Sequence, residues 1–497
     1  MDREMNFKAI FTSSNTRNDE HEAQQKFKKD EYFKTLYLLL DTGIEMTTTS
    51  LGKILACTLQ LNDRVNALKL LTYGVYKLPE VLKACQILDS RRRLKQLNAR
   101  LERFEKQNAQ KSKVGIIKSQ INVNQELNEG VQWSLTKSKI NMIVTNWVKK
   151  IPADKLEFYA LSYGMTYWKQ LIDLLHTKPS DFSLDWFQDF VFGKPAPESS
   201  IVYAMKSLTQ TNYKEYIYKY APDYSFLRTI PFIKLDDEMK IVVASYTPVE
   251  RVIWYLEEFQ CENVFKSLTS CFRNPETIKN ISYGVLMSKI FYLKGLNSYA
   301  ATELCNEMIK YAQIKLESYE VTLEQPIVVL GDGSGSMEVA IKTSGIIMSV
   351  LTALCKCDLR IFRDNDEFIK TPPKTVNDVI LFSKACKACG STSPAASLFP
   401  YLLNKQVVKT FIIVTDEEEN TNCNGMDFIG IFKKYTKEVY AANLIFVSFL
   451  EKGVKGQMYT KFQTQMPDYM EKVKQIIFGR RDPDLSKLDD LIANIVA

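Results

Sequence analysis

Apolar positions along the first two thirds of the chain recur at three and four residues, the spacing that aligns one face of an α-helix. TLYLLLDTGI, SLGKILACTLQL and VNALKLLTYGVYKLPEVLKACQIL, all within residues 35–88, show this most plainly, and glycine and proline are sparse up to about Tyr319. Short helices parted by short polar breaks over several hundred residues predict helical hairpins stacked as a solenoid. No repeat of fixed period is visible, so the stacking rests on helix density alone. Ahead of these helices, residues 1–30 are polar and read as a disordered or loosely attached tail. The segment RRRLKQLNARLERFEKQNAQKSK, residues 91–113, sets Leu94, Leu97, Leu101 and Phe104 on one narrow stripe among Arg, Lys and Glu. It predicts an amphipathic helix packed on its neighbours; a protruding basic helix that touches RNA or a partner is the alternative.

From Pro326 the pattern changes. IVVL, LRIFR, FIIVT, LIFVSFL and VKQIIF are apolar runs of strand length. Between or after them lie the helix-length segments MEVAIKTSGIIMSVLTALCK, PAASLFPYLLNK, MDFIGIFKKYTKEVYA and DPDLSKLDDLIANIVA. Near-continuous apolar strands alternating with helices predict a mainly parallel sheet covered on both faces, with its ligand crevice at the carboxyl ends of the strands. The expected organisation is therefore multidomain: a tail at 1–30, an all-α helical-repeat domain at 31–322, and a doubly wound α/β domain at 323–497.

Composition adds bounds. Of 497 residues, 45% are hydrophobic and 25% charged, as in ordinary globular chains, and the net charge of +7 resides mostly in the helical part. That surplus permits nucleic acid as a partner without demanding it. The N-terminus has no apolar signal region, and no apolar run approaches the length of a membrane span. Ten cysteines without regular spacing read as free thiols in a reducing compartment, cytoplasmic or also nuclear. Cys386-x-x-Cys389 follows Cys355-x-Cys357, but unpaired thiols suit them better than structural zinc.

Candidate chemistry centres on PIVVLGDGSGSM, residues 326–337. Its glycines at 331, 333 and 335 have the wrong spacing for a dinucleotide fingerprint, and no lysine is present for a P-loop. Asp332 would also repel a phosphate. A divalent cation fits better: Asp332, Ser334 and Ser336 form D-x-S-x-S, three oxygen donors at alternating positions of one turn, and Mg²⁺, or Mn²⁺ in its place, takes oxygen ligands. An ordinary turn explains the motif equally well when taken alone. Two further donors stand at suitable places: Thr392 in CGSTSPAAS, and Asp416 directly after FIIVT. Glu417, Glu418 and Glu419 read as a solvated face or as helix N-terminal charge.

The D-x-S-x-S turn, the Gly-x-Thr loop and the strand-end Thr-Asp, in that order over about 170 residues, resemble the metal-ion-dependent adhesion site of von Willebrand factor A domains. The loop reads Gly390-Ser391-Thr392 where that family often has Gly-Gly-Thr. The resemblance implies a bound Mg²⁺ held by Asp332, Ser334, Ser336 and Thr392 with Asp416 close by, and open to an acidic group supplied by a protein partner.

In the helical part, WKQLIDLLHTKP (168–179) is similar to the K-x-L-L-x-L-x-H-x-K-P segment of TROVE-domain, Ro-like proteins, which also end in an A domain. Lys169, Leu171, Ile172, Leu174, His176, Lys178 and Pro179 fit; Asp173 departs, and the basic segment 91–113 has no counterpart. The resemblance implies a ring of HEAT-like hairpins that binds small noncoding or misfolded RNA outside and passes single-stranded ends through its centre. Lys169, His176 and Lys178 would face the RNA. Without the family pattern, His176 reads as a helix-end residue, and Tyr163, Tyr167 and Trp168 as core.

The expected function is that of a non-catalytic, RNA-binding ribonucleoprotein component, monomeric and without a membrane role. A protein-interaction scaffold, using the helices and the metal site to capture an acidic partner, is the alternative. An enzyme is not expected. The only histidines are His21 and His176, and no H-E-x-x-H or nucleophile elbow is present.

Overall fold

The computed structural model describes residues 9–12, 16–41, 46–107, 111–274, 278, 281–319, 323–451, 454–480, 485 and 488–493. Among these, the residues up to Tyr255 form one compact unit and those from Leu256 onward a second.

The second unit is built on six strands: β1 Ile327–Asp332, β2 Asp358–Phe362, β3 Asp366–Phe368, β4 Thr410–Thr415, β5 Asn443–Leu450 and β6 Val473–Gly479. Their order is β3-β2-β1-β4-β5-β6. Every pairing is parallel except that of β2 with the short β3. β1 and β4 are buried at every residue, as central strands of a two-sided sheet must be, which is why they read as unbroken apolar runs. Val328, Phe411 and Phe446 feed one core layer with Leu398, Tyr401 and Phe432 from the helices Pro394–Leu403 and Phe428–Glu438. The alternating positions Val329, Ile412 and Ile445 are equally buried, and the helix Ile341–Cys355 packs across β1, β2 and β4. β3 was not predicted. It is three residues long and mostly polar, and Arg360 holds it by an ion pair to Asp366 and by lying over the Phe368 ring.

The chain runs outward from β1 to β2 on one side and from β4 to β5 on the other. β1 and β4 are therefore neighbours at the point where the winding reverses, and a crevice opens beyond their carboxyl ends. Asp332 ends β1, and Asp416 follows β4.

The helices Glu262–Phe272, Tyr283–Lys294 and Tyr299–Glu317, which precede the expected boundary at 323, fall in the same compact unit as the sheet. The cause is packing. Tyr299–Glu317 lies against Val376–Ala385, where the Val376 amide donates to Gln313 Oε1 at 2.8 Å, and Leu488–Ala493 lies against Tyr283–Lys294. The rest of the expected C-terminal helix, at 482–484, 486–487 and 494–497, falls outside the described residues.

The polar tail is ordered in part. Residues 1–8 and 13–15 are outside the described residues, but Asn18–Phe27 is a helix with Asn18, His21 and Gln25 buried. One polar atom of each is partnered, while Asn18 Oδ1, His21 Nε2 and Gln25 Oε1 stay buried without a hydrogen bond. The Tyr32 hydroxyl lies 2.7 Å from His21 Nδ1, Gln25 Nε2 donates to Thr58 Oγ1 at 3.2 Å, and Asn18 Nδ2 donates to the Leu127 carbonyl at 2.9 Å. Composition alone could not distinguish polar residues paired in this way from solvated ones.

The remaining helices of the first unit pack on near neighbours, for instance Thr48–Gln60 on Leu78–Lys106 and Ala153–Ser162 on Ile201–Lys206. Side-chain caps mark their starts: Thr47 accepts from the Ser50 amide and Ser200 from that of Tyr203, each removing an orphan donor at a helix N-terminus.

Candidate metal centre and candidate RNA-facing helix

The register of the sheet assembles the first candidate site. Gly331 pairs with Val414 across β1 and β4, which places Asp332 opposite Thr415, and the Thr415 hydroxyl donates to Asp332 Oδ2 at 2.7 Å. The other oxygen, Oδ1, accepts the Ser334 amide at 2.9 Å, and the Ser334 and Ser336 hydroxyls lie 3.0 Å apart. Asp332, Ser334, Thr392 and Asp416 are all buried.

The Thr392 loop is tied to the same turn by backbone bonds. Cys389 N–H donates to the Gly333 carbonyl at 2.9 Å, and Gly335 N–H to the Gly390 carbonyl at 3.0 Å. Asn420 Oδ1 accepts the Thr392 amide at 2.9 Å, which joins this loop to the one leaving β4. Two strand-end loops, after β1 and β4, thus meet the loop between the helices Val376–Ala385 and Pro394–Leu403, and the five sequence-predicted donors lie on or beside these three loops. The direct side-chain links run among Asp332, Ser334 and Ser336; Thr392 is brought in by its backbone.

Gly390 has a reason to be glycine. Its φ is +79°, and a Cβ there would overlap the Asp364 carboxylate, which accepts the Ser391 amide at 2.9 Å. Gly390→Ala is expected to lose about 1–3 kcal/mol of unfolding free energy, read from the urea midpoint.

Electrostatics set this crevice apart. Burial first, and the nearby Asp416 second, push the Asp332 carboxyl up to about 7, against its bonds to Ser334 and Thr415. Burial likewise raises Asp416, opposed by the Ser336 hydroxyl and the Glu418 amide. Two buried carboxyls that each resist ionisation leave a place where positive charge is favoured.

Arg480, just beyond β6, partly answers it. It bonds to the Ser336 carbonyl at 2.6 Å and to Glu418 Oε1 at 2.9 Å. Its Nη2 lies 3.2 Å from Asp416 Oδ2, close enough for charge attraction. The alignment is not that of a hydrogen bond, so Oδ2 remains a buried acceptor without a donor. No three His, Cys, Asp or Glu side chains converge among the described residues; the donors here are two carboxylates supplemented by hydroxyls.

Sequence reasoning missed Arg480, Thr415 and Asn420. Thr415 was within sight, as the residue facing Asp332 once β1 and β4 are neighbours. Arg480 lies far along the chain, and no local motif marks it. Glu417 is a correction: it is fully buried, with Ser448, the Tyr459 amide and Gln475 donating to its carboxylate, so it buttresses the ends of β4, β5 and β6 and is not a solvated face. Glu419 does act at a helix start, where Oε1 accepts the Phe428 amide at 2.6 Å. All ten cysteines are free, with Cys386 half-buried and Cys389 exposed.

The second candidate set lies on the helix Met165–Leu175 and its exit. Trp168, Leu171, Ile172 and Leu175 face inward, whereas Lys169, His176 and Lys178 are exposed. Lys169 and His176 are seven residues apart, two turns along one face. His176 ends the helix in the left-handed region, with φ at 50°, and its backbone turns the chain so that Lys178 and Pro179 start a short 3-10 turn. There the Lys178 amide donates to Asp181 Oδ2 at 2.8 Å. Tyr167 is exposed, and Trp168 is core.

Fold and crevice together define a helical-repeat chain that ends in a von Willebrand factor A-type α/β domain. No family model matches this sequence, and no curated protein matches it. Among solved structures, the crystal structure of the Deinococcus radiodurans Ro (RSR) protein is similar over 88% of this chain and 93% of that one, with a TM-score of 0.52 at 12% identity. At that identity the likeness is one of fold.

Proposed function

We propose that this chain is a non-catalytic, RNA-binding ribonucleoprotein component that takes small noncoding or misfolded RNA. The observation that carries the reading is the exposed face of Lys169, His176 and Lys178 on a helix whose opposite face is core, within a fold shared with a Ro protein. Lysines neutralise phosphates, and an exposed imidazole can stack on a base or donate to a phosphate. The A-type domain holds a divalent cation, Mg²⁺ with Mn²⁺ as a substitute, through Asp332, Ser334, Ser336 and Thr392, with Asp416 behind. Asp416 Oδ2, buried without a hydrogen-bond donor, and the two buried, hard-to-ionise carboxyls support this fit. A hydroxyl-rich shell leaves a bound cation under-neutralised, suited to accept an acidic side chain from a protein partner.

The test is crosslinking and sequencing of co-purified RNA from the intact chain and from a His176→Ser, Lys178→Glu variant. The variant is expected to recover about tenfold less RNA at matched salt. No RNA from either, or equal RNA from both, would replace this reading with the protein scaffold.

A further inference from the structure

The helix Leu78–Lys106 is 29 residues long, about 44 Å, and it changes character midway. Its buried residues cease at Ser90, apart from Leu97. Beyond that point its companion is the helix Lys111–Asn128, and the two share a small separate core of Leu97, Ile117 and Ile121, flanked by Leu94, Leu101 and Phe104. Residues 108–110 are outside the described residues. The expected apolar stripe is thus satisfied by one neighbouring helix, and the pair forms an arm.

The arm concentrates the charge of the whole protein. Residues 91–118 contain ten lysines and arginines against two glutamates, a surplus of eight, where the entire chain has only +7. All ten cations are exposed. Arg92 pairs with Asp89 at 2.6 Å and Lys118 with Glu105 at 3.3 Å; the other eight have no ion-pair partner among the described residues. At 100° per residue, Arg92, Lys95, Arg103 and Lys106 fall opposite the Leu94, Leu97, Leu101 and Phe104 seam.

Like charges crowded on one face oppose folding through self-repulsion, and the apolar seam does not need them. Their spread, about 22 Å from residue 91 to 106, suits a continuous row of phosphates better than one acidic side chain. Phe104 is turned into the seam, and no aromatic residue occurs elsewhere in 91–118. The outward face therefore offers charge without a platform for unpaired bases. This favours a duplex, whose bases are stacked and whose backbones are exposed.

We infer that the arm formed by residues 91–107 and 111–118 is a docking surface for the phosphate backbone of double-helical RNA, read without regard to sequence. It rests on the proposed RNA-binding function and adds a contact separate from Lys169, His176 and Lys178.

The test uses the intact chain, a blunt RNA duplex, and a single strand of the same length, with binding followed by fluorescence anisotropy over a series of KCl concentrations. The variant carries Arg91→Gln, Lys95→Gln, Arg103→Gln and Lys106→Gln, exposed positions where Gln keeps helix propensity. A matched variant with Arg91→Lys and Arg103→Lys retains the charge. The Gln variant should lose about 10- to 100-fold in duplex affinity at low salt, and its log–log salt slope should flatten by about 3; the Lys variant should keep both. Circular dichroism should be unchanged. If the Gln variant misfolds, Lys111→Gln with Lys113→Gln on the second helix is read in the same way with a smaller change. Unaltered duplex affinity and slope in a chain that does bind RNA would overturn the arm and leave the RNA-binding function standing. No RNA binding by the unaltered chain removes both. Polyglutamate is titrated alongside, and loss of its binding in the Gln variant with duplex binding intact would overturn the arm as an RNA surface and make it a protein-docking one.

Discussion

In a chelating buffer, thermal stability is expected to fall as pH rises from the ordinary carboxyl range towards neutrality, and added Mn²⁺ is expected to remove that fall. Asp332 titrates at 3.8 when unfolded and is pushed up to about 7 by burial and by Asp416. A carboxyl raised on folding binds its proton more tightly in the native state. Its contribution is most favourable below 3.8 and is lost as pH climbs through about 7. A shift of that size corresponds to on the order of 4 kcal/mol, and the raised Asp416 acts in the same direction. A cation bound to the ionised pair would reverse the penalty, so stabilisation by Mn²⁺ should grow with pH over the same window. Asp332→Asn should flatten the chelator profile and weaken Mn²⁺ binding by about 100-fold or more, measured by calorimetry. A profile already flat in the wild type, or Mn²⁺ binding that survives Asp332→Asn, would remove the cation from this crevice.

What the sequence disclosed here follows from how each feature is encoded. Asp332, Ser334, Ser336 and Asp416 belong to short motifs at strand ends, Thr392 to a loop just before a helix, and the apolar runs that locate those ends are local. Once the strands are ordered, the loops that carry these residues come together. Arg480 reaches Ser336, Asp416 and Glu418 from beyond β6, a contact fixed by the neighbour relations of β4, β5 and β6 and by nothing near residue 480. Glu417 looks like its acidic neighbours in the sequence, but a left-handed backbone, φ 62°, accompanies its burial under Ser448 and Gln475. The helix Asn18–Phe27 was hidden for the opposite reason. Its buried residues are the polar Asn18, His21 and Gln25, so hydrophobic periodicity carries little of its signal. At 91–113 the apolar stripe was legible but its companion was not, because only the pairing with Ile117 and Ile121 shows that the seam is covered by a single helix.

Trp168→Ala should be among the most damaging single substitutions in the first unit, at about 3–5 kcal/mol. The indole is fully buried. It meets the Phe187 ring edge-on at a centroid distance of 5.0 Å and the Phe182 ring at 6.4 Å, and its Nε1 donates to the Tyr159 carbonyl at 3.4 Å. Truncation leaves a cavity among rings that cannot collapse, while the Tyr159 carbonyl keeps the Tyr163 amide as its donor. One position along, Lys169 is exposed, and Lys169→Ala should change stability by no more than about 0.5 kcal/mol while weakening RNA binding several-fold. The two residues thus separate scaffold from surface within a single helical turn. Urea unfolding followed by circular dichroism gives the first quantity and RNA anisotropy the second, with Trp168→Phe as the intermediate that keeps an aromatic ring but not the Nε1 donor. If Trp168→Ala left stability intact but abolished RNA binding, the indole would be a base-stacking platform, and the inward and outward faces of this helix would have to be exchanged.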